Sequence, residues 1–313
     1  MATEHKAMNI NSSIYVAGRS TLIGAAILRA LGKAGYCKAF SEGGEDLKDV
    51  NQVDALFHKR KPEFVFLAAG KTGGIAANIK YPAELMLDNL LIACTIIECA
   101  RRYNVKKLLY LASSCSYPRD CAQPMKEESL LTGLLEPTND AYAVAKIAGI
   151  KLCQAYKSQY GSNFIVGIPA NAFGPGDDFS EEDSHVVAAL VRKMREAKEN
   201  NRKQVGVWGT GNAQRELIFV DDLADACLFI MDKYDEPEPI NLGSGLAFSI
   251  RDLAESIRDV VGFDGAIAYD TSKPDGMPIK SLDNSKIRKL GWSPHFSLVE
   301  GLAITYNWYR NVD

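Results

Sequence analysis

The chain has 313 residues, a formal net charge of −3, 47% hydrophobic residues and 24% charged residues. That is an ordinary globular composition, with no electrostatic reason to expect nucleic acid or an acidic membrane as partner. Any anionic ligand must be held by local basic groups. Seven cysteines form neither a dense disulfide framework nor a paired metal-ligand spacing, so free thiols and no metal are expected. The polar start 1–13 lacks the apolar core of a signal peptide, and the apolar runs are too short or interrupted to span a bilayer. A cytoplasmic protein is the expectation.

In chain order, Ile14-Tyr15-Val16-Ala17 reads as a buried first strand, followed by a helix over 22–31. Further strand-like runs cover 64–68, 107–111 and 164–168, with helical patterns over 82–102 and 141–160 between them. Strand alternating with helix predicts an α/β fold, a Rossmann-type doubly wound parallel sheet with helices on both faces. Such sheets bind ligands beyond the carboxyl ends of their strands. After about 170 the rhythm loosens and Gly-, Pro- and Asp-rich loops interrupt shorter elements. We therefore expect a polar leader over 1–13, a nucleotide-binding domain over 14–170 and a smaller, intertwined α/β substrate-binding part over 171–313. The last segment, 298–309, reads as an amphipathic helix packed on the core.

The turn Gly18-Arg19-Ser20-Thr21-Leu22-Ile23-Gly24 joins the first strand to the first helix. Gly18 suits a tight turn, Gly24 suits close helix packing, and a helix amino end attracts a pyrophosphate. An ordinary strand–helix turn is the alternative, and Thr21 stands where a central glycine is usual. Asp46-Leu47 follows the second strand region and offers either a carboxylate near an adenine or a helix cap. Asp221 or Asp222 reads as a cap for the following helix.

Tyr142 and Lys146 stand four residues apart in a helical segment, so both side chains project from one face. A nearby ammonium favours phenolate, which predicts a tyrosine pKa pulled below its usual value of about 10. Ser113 closes the strand-like run 108–111 and can present a hydroxyl to the same oxygen as Tyr142. Cys115 lies two residues on, on the same side of an extended segment, and suggests proton transfer beyond simple reduction. His185 reads locally as a surface or capping histidine. Trp208, with Arg215 shortly after it, offers a plane and a guanidinium suited to a nucleotide diphosphate or a sugar.

Together these residues resemble the extended short-chain dehydrogenase/reductases. Within them, the runs Ser113-Ser114-Cys115-Ser116-Tyr117-Pro118, Ala68-Ala69-Gly70-Lys71-Thr72-Gly73-Gly74 and Ser184-His185-Val186 resemble the GDP-L-fucose synthases, which act on GDP-4-keto-6-deoxymannose. The resemblance implies a reductase triad of Ser113, Tyr142 and Lys146, with Cys115 and His185 as the epimerisation acid–base pair. It implies cofactor contacts from Gly18 to Gly24 and from Asp46, Leu47, Ala68, Ala69, Lys71 and Asn89. Pro169, Asn171, Ala172, Tyr142, Lys146 and His185 complete that set. Lys193, Trp208, Arg215 and Lys280 would meet the GDP-sugar, and Ile279 stands where the family often has arginine.

The family implies NADP(H) and a homodimer through the two long helices. Glu42 would repel a 2′-phosphate, leaving Arg19 as the candidate clamp and NAD(H) use open. The alternatives are an enzyme on another 4-keto nucleotide sugar, as in GDP-colitose synthesis, a simple 4-reductase, and a non-catalytic cofactor-bound regulator.

Overall fold

A computed structural model describes residues 7–181, 184–273 and 275–312. Residues 1–6 of the expected leader, Asp183 beside the histidine site and Pro274 of the last substrate loop lie outside it.

Strand β1 (Ile14–Ala17) is buried along its whole length, as expected of a strand covered on both faces. Helix α1 (Leu22–Lys33) buries Gly24, Ala26, Ile27 and Leu31 on one side, at helical spacing. It runs two residues beyond the expected end and finishes with Lys33 in its last turn. The short β2 (Ala39–Phe40), α2 (Val50–Arg60) and the buried β3 (Phe64–Leu67) follow. Asp49, not Asp46, caps α2 by accepting from Asn51 N. Asp46 is exposed and closes a local turn by accepting from Lys48 N.

Next come α3 (Ile75–Lys80), the long α4 (Pro82–Arg102) with proline in its first turn, β4 (Lys107–Leu111), and the long α5 (Asp140–Tyr160). Gly161, at φ 69°, ends α5 in the left-handed conformation that glycine adopts without strain. β5 (Phe164–Pro169) pairs in parallel with β4.

The second half contains β6 (Asn171–Phe173), α6 (Val186–Glu199), β7 (Gln204–Trp208), β8 (Gln214–Phe219) and α7 (Val220–Lys233). β9 (Ile240–Leu242), β10 (Ala247–Ser249), α8 (Ile250–Val261), β11 (Ala266–Asp270), β12 (Ile279–Lys280), α9 (Ser285–Lys289) and α10 (Leu298–Val312) complete it.

The main sheet is parallel throughout, in the order β2-β1-β3-β4-β5-β9. The chain leaves β1 toward one edge and β3 toward the other, so a crevice opens between their carboxyl ends. β9 joins from far along the chain, so the second half completes the first half's sheet. The remaining strands form a separate β10-β8-β12 group, with β6 on β8, and a β7–β11 pair. A second apolar cluster, including Phe173, Val191, Leu217, Phe219, Leu253 and Leu302, lies beneath these smaller sheets.

Asp221 and Asp222 do not cap α7, because that helix starts directly from β8 with no side-chain cap. Asp221 pairs with Arg29 and Lys33 of α1. Asp222 is buried and accepts from His295 N and Phe296 N, pinning the approach to α10.

Candidate active site

The turn after β1 is built for close approach. Gly18 has φ +103°, and a Cβ there would lie 2.6 Å from Ala69 N. A Cβ on Gly24 would lie 2.1 Å from Gly18 O. Thr21 does specific work in place of glycine: its hydroxyl donates to Gly18 O and accepts from Gly24 N, capping α1. Ser20 is exposed in the turn, whereas Leu22, Ile23 and Leu47 pack against the core. The tight turn, the aligned helix amino end and the crevice beside Ala68 and Ala69 fit a dinucleotide.

Glu42, just after β2, closes on this turn. Its carboxylate accepts from Gly18 N at 3.2 Å and Arg19 N at 2.9 Å, and from Ser41 Oγ at 2.7 Å. The Arg19 guanidinium donates to Glu42 O at 3.4 Å, so the expected clamp and the expected repellent side chain lie together.

At the crevice floor, Asn89 of α4 donates to Lys71 O and Leu85 O, while its Oδ1 is buried without a partner among the described residues. A Cβ on Gly70 would meet that oxygen at 2.4 Å. The Lys71 ammonium itself is paired with Glu84 at 2.6 Å. Pro169 ends β5, and Asn171 and Ala172 lie in β6, alongside Leu217 and Ile218 of β8.

β4 and α5 deliver the catalytic candidates. Gly149 lets α5 press onto β4, since a Cβ there would lie 2.4 Å from the Tyr110 ring and hydroxyl. One turn earlier on α5, Lys146 is buried and donates to Leu111 O at 3.3 Å. Its Nζ lies 5.4 Å from the Tyr110 ring centre and 5.8 Å from that of Tyr142. Burial lowers the Lys146 pKa from 10.5 to about 8.

The expected depression of Tyr142 is not found. Burial, followed by the neighbouring Cys115 charge, raises its pKa, and a hydrogen bond with Ser113 opposes the rise only in part. Tyr142 is therefore a neutral phenol at neutral pH, poised to donate.

Cys115 is not in an extended segment. Residues Ser114–Ser116 form one tight helical turn, capped by Ser113 Oγ accepting from Cys115 N. The turn brings the sulfur to Asn139 Nδ2 and Lys280 Nζ, each at 3.3 Å. Burial pushes the thiol pKa up, but Lys280's charge and hydrogen bonds from Ser113, Lys280 and Asn139 outweigh it, and the net shift is downward. Asn139 is the residue that sequence reasoning left without a role, although it immediately precedes the tyrosine helix.

His185 is the residue that opens α6, makes no side-chain capping bond there and is exposed, within reach of the Lys280 charge. The surrounding protein, then the Lys280 charge, lower its pKa against the pull of Asp178, favouring neutral imidazole.

The four expected substrate contacts divide. Trp208 is 59% exposed at the end of β7, with Lys273 Nζ 5.5 Å from its ring centre. Lys193 donates to Gly206 O. Arg215 donates to the carbonyls of Gln214, Met277 and Asp275, fastening β8 to the following loop. Lys280 stands opposite Arg215 in the β8–β12 pairing but turns to Cys115.

Residues 14–243 match the NAD dependent epimerase/dehydratase family. The chain belongs to that family. It is 49% identical over 305 residues to GDP-L-fucose synthase 1 of Arabidopsis thaliana, covering 96% of this chain and 94% of that protein. Among solved structures it is similar to a GDP-6-OMe-4-keto-L-xylo-heptose reductase from C. jejuni, with TM-score 0.94 and 34% identity over 98% of this chain and 100% of that one. A GDP-L-fucose synthetase from Naegleria fowleri bound to NADP matches with TM-score 0.89 and 28% identity, over 99% and 97% of the two chains.

Proposed function

We propose that this protein converts GDP-4-keto-6-deoxymannose to GDP-L-fucose, inverting C3 and C5 and then reducing the C4 ketone with NADP(H). The observation that carries this reading is the Cys115 sulfur accepting from Lys280 Nζ and Asn139 Nδ2 at 3.3 Å each, on the turn that Ser113 Oγ caps. Against burial, the Lys280 charge draws the thiol pKa down; together with burial, the same charge reaches His185 and favours neutral imidazole there. A reductase needs only the hydroxyls and Lys146; two further proton-transfer groups suit inversion. The name of the Arabidopsis relative supports the choice of sugar, and the NADP-bound relative supports the cofactor.

The turn 18–24 would hold the pyrophosphate, with Lys146 and Asn89 at the nicotinamide end. NADP(H), when bound, supplies the hydride that C4 receives. Ser113 and Tyr142 hold the C4 oxygen and stabilise the charge that develops when a proton leaves C3 or C5. Cys115 and His185 act from opposite faces of the sugar. Removal of a proton by one and its return by the other inverts each centre, each transfer contributing roughly 10²–10⁴-fold. Tyr142 finally gives its phenolic proton to the C4 oxygen.

On this reading 14–170 binds the cofactor and 171–313 mainly the sugar nucleotide, intertwined through β9, with 1–13 as a leader. Seven free cysteines support a reducing, cytoplasmic setting. Exposed Leu87 and Leu91 on α4 and Val144 on α5 support a homodimer through those helices, which sedimentation velocity tests.

Purified enzyme with GDP-4-keto-6-deoxymannose and NADPH in deuterated water should yield GDP-L-fucose carrying deuterium at C3 and C5, read by NMR. Cofactor oxidation without deuterium at those carbons would overturn the epimerase reading. It would favour a simple 4-reductase, the second reading, which the likeness to the keto-heptose reductase supports.

A further inference from the structure

Lys280 was expected to meet the substrate, but its ammonium points at a protein sulfur. Its position is fixed by the backbone. Lys280 pairs with Arg215 across β8–β12, and the next residues are tied to the 125 segment by Met125 N to Ser281 O and Asp283 N to Met125 O, each 2.8 Å. From there Nζ donates to Cys115 Sγ at 3.3 Å, and Asn139 Nδ2 donates to the same atom at 3.3 Å.

Lys280 Nζ and Asn139 Nδ2, the two groups 3.3 Å from the sulfur, are both donors, and the Ser113 hydroxyl can donate as well. Such a setting suits a thiolate, which only accepts, better than a thiol. The other groups around it are Ser113 at the end of β4, Tyr142 on α5, and His185 ahead of α6, with Asp178 acting on His185. Tyr142 is neutral at working pH and His185 is biased toward neutrality, so Lys280 is the positive partner that faces the sulfur directly.

We propose that Lys280 is the counter-ion that holds Cys115 as a thiolate, with Asn139 orienting the sulfur. It rests on the reading of Cys115 as an epimerisation base. The thiolate takes the proton from C3 or C5, the C–H electron pair moves toward the C4 oxygen, and Lys280 keeps its proton throughout. Lys280 is thus a positioning residue that acts through Cys115.

The test is the rate of Cys115 alkylation by iodoacetamide against pH in the full-length enzyme without substrate, followed by peptide mass spectrometry. In the wild type the rate should rise with an inflection below that of an ordinary thiol at about 8.5. Lys280→Met should move the inflection up by about one pH unit or more and slow alkylation near pH 7 roughly ten-fold. Lys280→Arg should keep most of the wild-type profile. Exposed Cys37 serves as reference, and continued protection of buried Cys99, Cys153 and Cys227 reports an intact fold.

If Lys280→Met unfolds, Lys280→Gln, which keeps a donor without charge, must give the same upward move. An inflection unchanged on loss of the charge overturns the counter-ion role. Cys115→Ser with full deuterium incorporation would overturn only the base reading on which it builds, so the two failures are distinguishable.

Discussion

Replacing Lys146 by methionine should make the protein more stable at pH 7 while abolishing its chemistry. The ammonium is buried, and its pKa falls from 10.5 to about 8, which corresponds to roughly 3 kcal/mol against the folded state. Losing the hydrogen bond to Leu111 O gives back about 1 kcal/mol, and the contacts with the Tyr110 and Tyr142 rings about 0.5–1 kcal/mol more. The net gain for Lys146→Met is about 1–2 kcal/mol, or roughly 1.5–3 °C in melting temperature for a chain of this size.

Its pH dependence has a definite sign. Below pH 8 the lysine is charged in both states and the penalty is complete. Between about pH 8 and 10.5 the folded protein releases the proton while the unfolded chain keeps it, so wild-type stability rises relative to the variant. Urea unfolding of both proteins at pH 7 and pH 10 should show the variant ahead at pH 7 and its lead reduced at pH 10. A variant less stable at pH 7, or a gap independent of pH, would refute the argument that Lys146 is held against its own solvation.

Two further outcomes follow from named contacts. Glu42→Gln should improve NADPH binding relative to NADH by roughly ten-fold, about 1.4 kcal/mol, by removing a negative charge beside Arg19 and the loop amides; fluorescence titration with both cofactors measures it, and an unchanged ratio would sink the idea. Gly149→Ala puts a methyl group 2.4 Å from Tyr110, so α5 must back away from β4. A loss of about 1–3 kcal/mol of stability is expected, with a fall in kcat as Tyr142 and Lys146 move with the helix; a variant that melts and turns over like wild type would show that Gly149 does not set the helix position.

Much of the main sheet was legible because most of its strands are short, largely apolar and buried. Ile14–Ala17 and Lys107–Leu111 fall where their runs of apolar residues place them, and Pro82–Arg102 matches the helical pattern. What escaped was long-range. β9 enters the main sheet more than 70 residues after its neighbour β5. Asp222 looked like a cap because it stands at a helix start, but its partners are amides at 295 and 296. Local spacing cannot distinguish a carboxylate serving its own helix from one fastening another segment.

The same division runs through the candidate site. The four-residue spacing of Tyr142 and Lys146 is written in the sequence, but the sign of the tyrosine shift is not, because it depends on burial by the whole fold. The charged partner of Cys115, Lys280, lies 165 residues away. The charges also explain how a chain of net charge −3 can hold an anionic ligand. Lys146, Lys193 and Arg215 are each shifted downward by burial, so each is a cation held where hydration is poor. A ligand whose diphosphate or oxyanion meets such groups restores part of the solvation they lost. Binding there should be reflected in stability as well as in catalysis, because anything that binds only the folded form stabilises it.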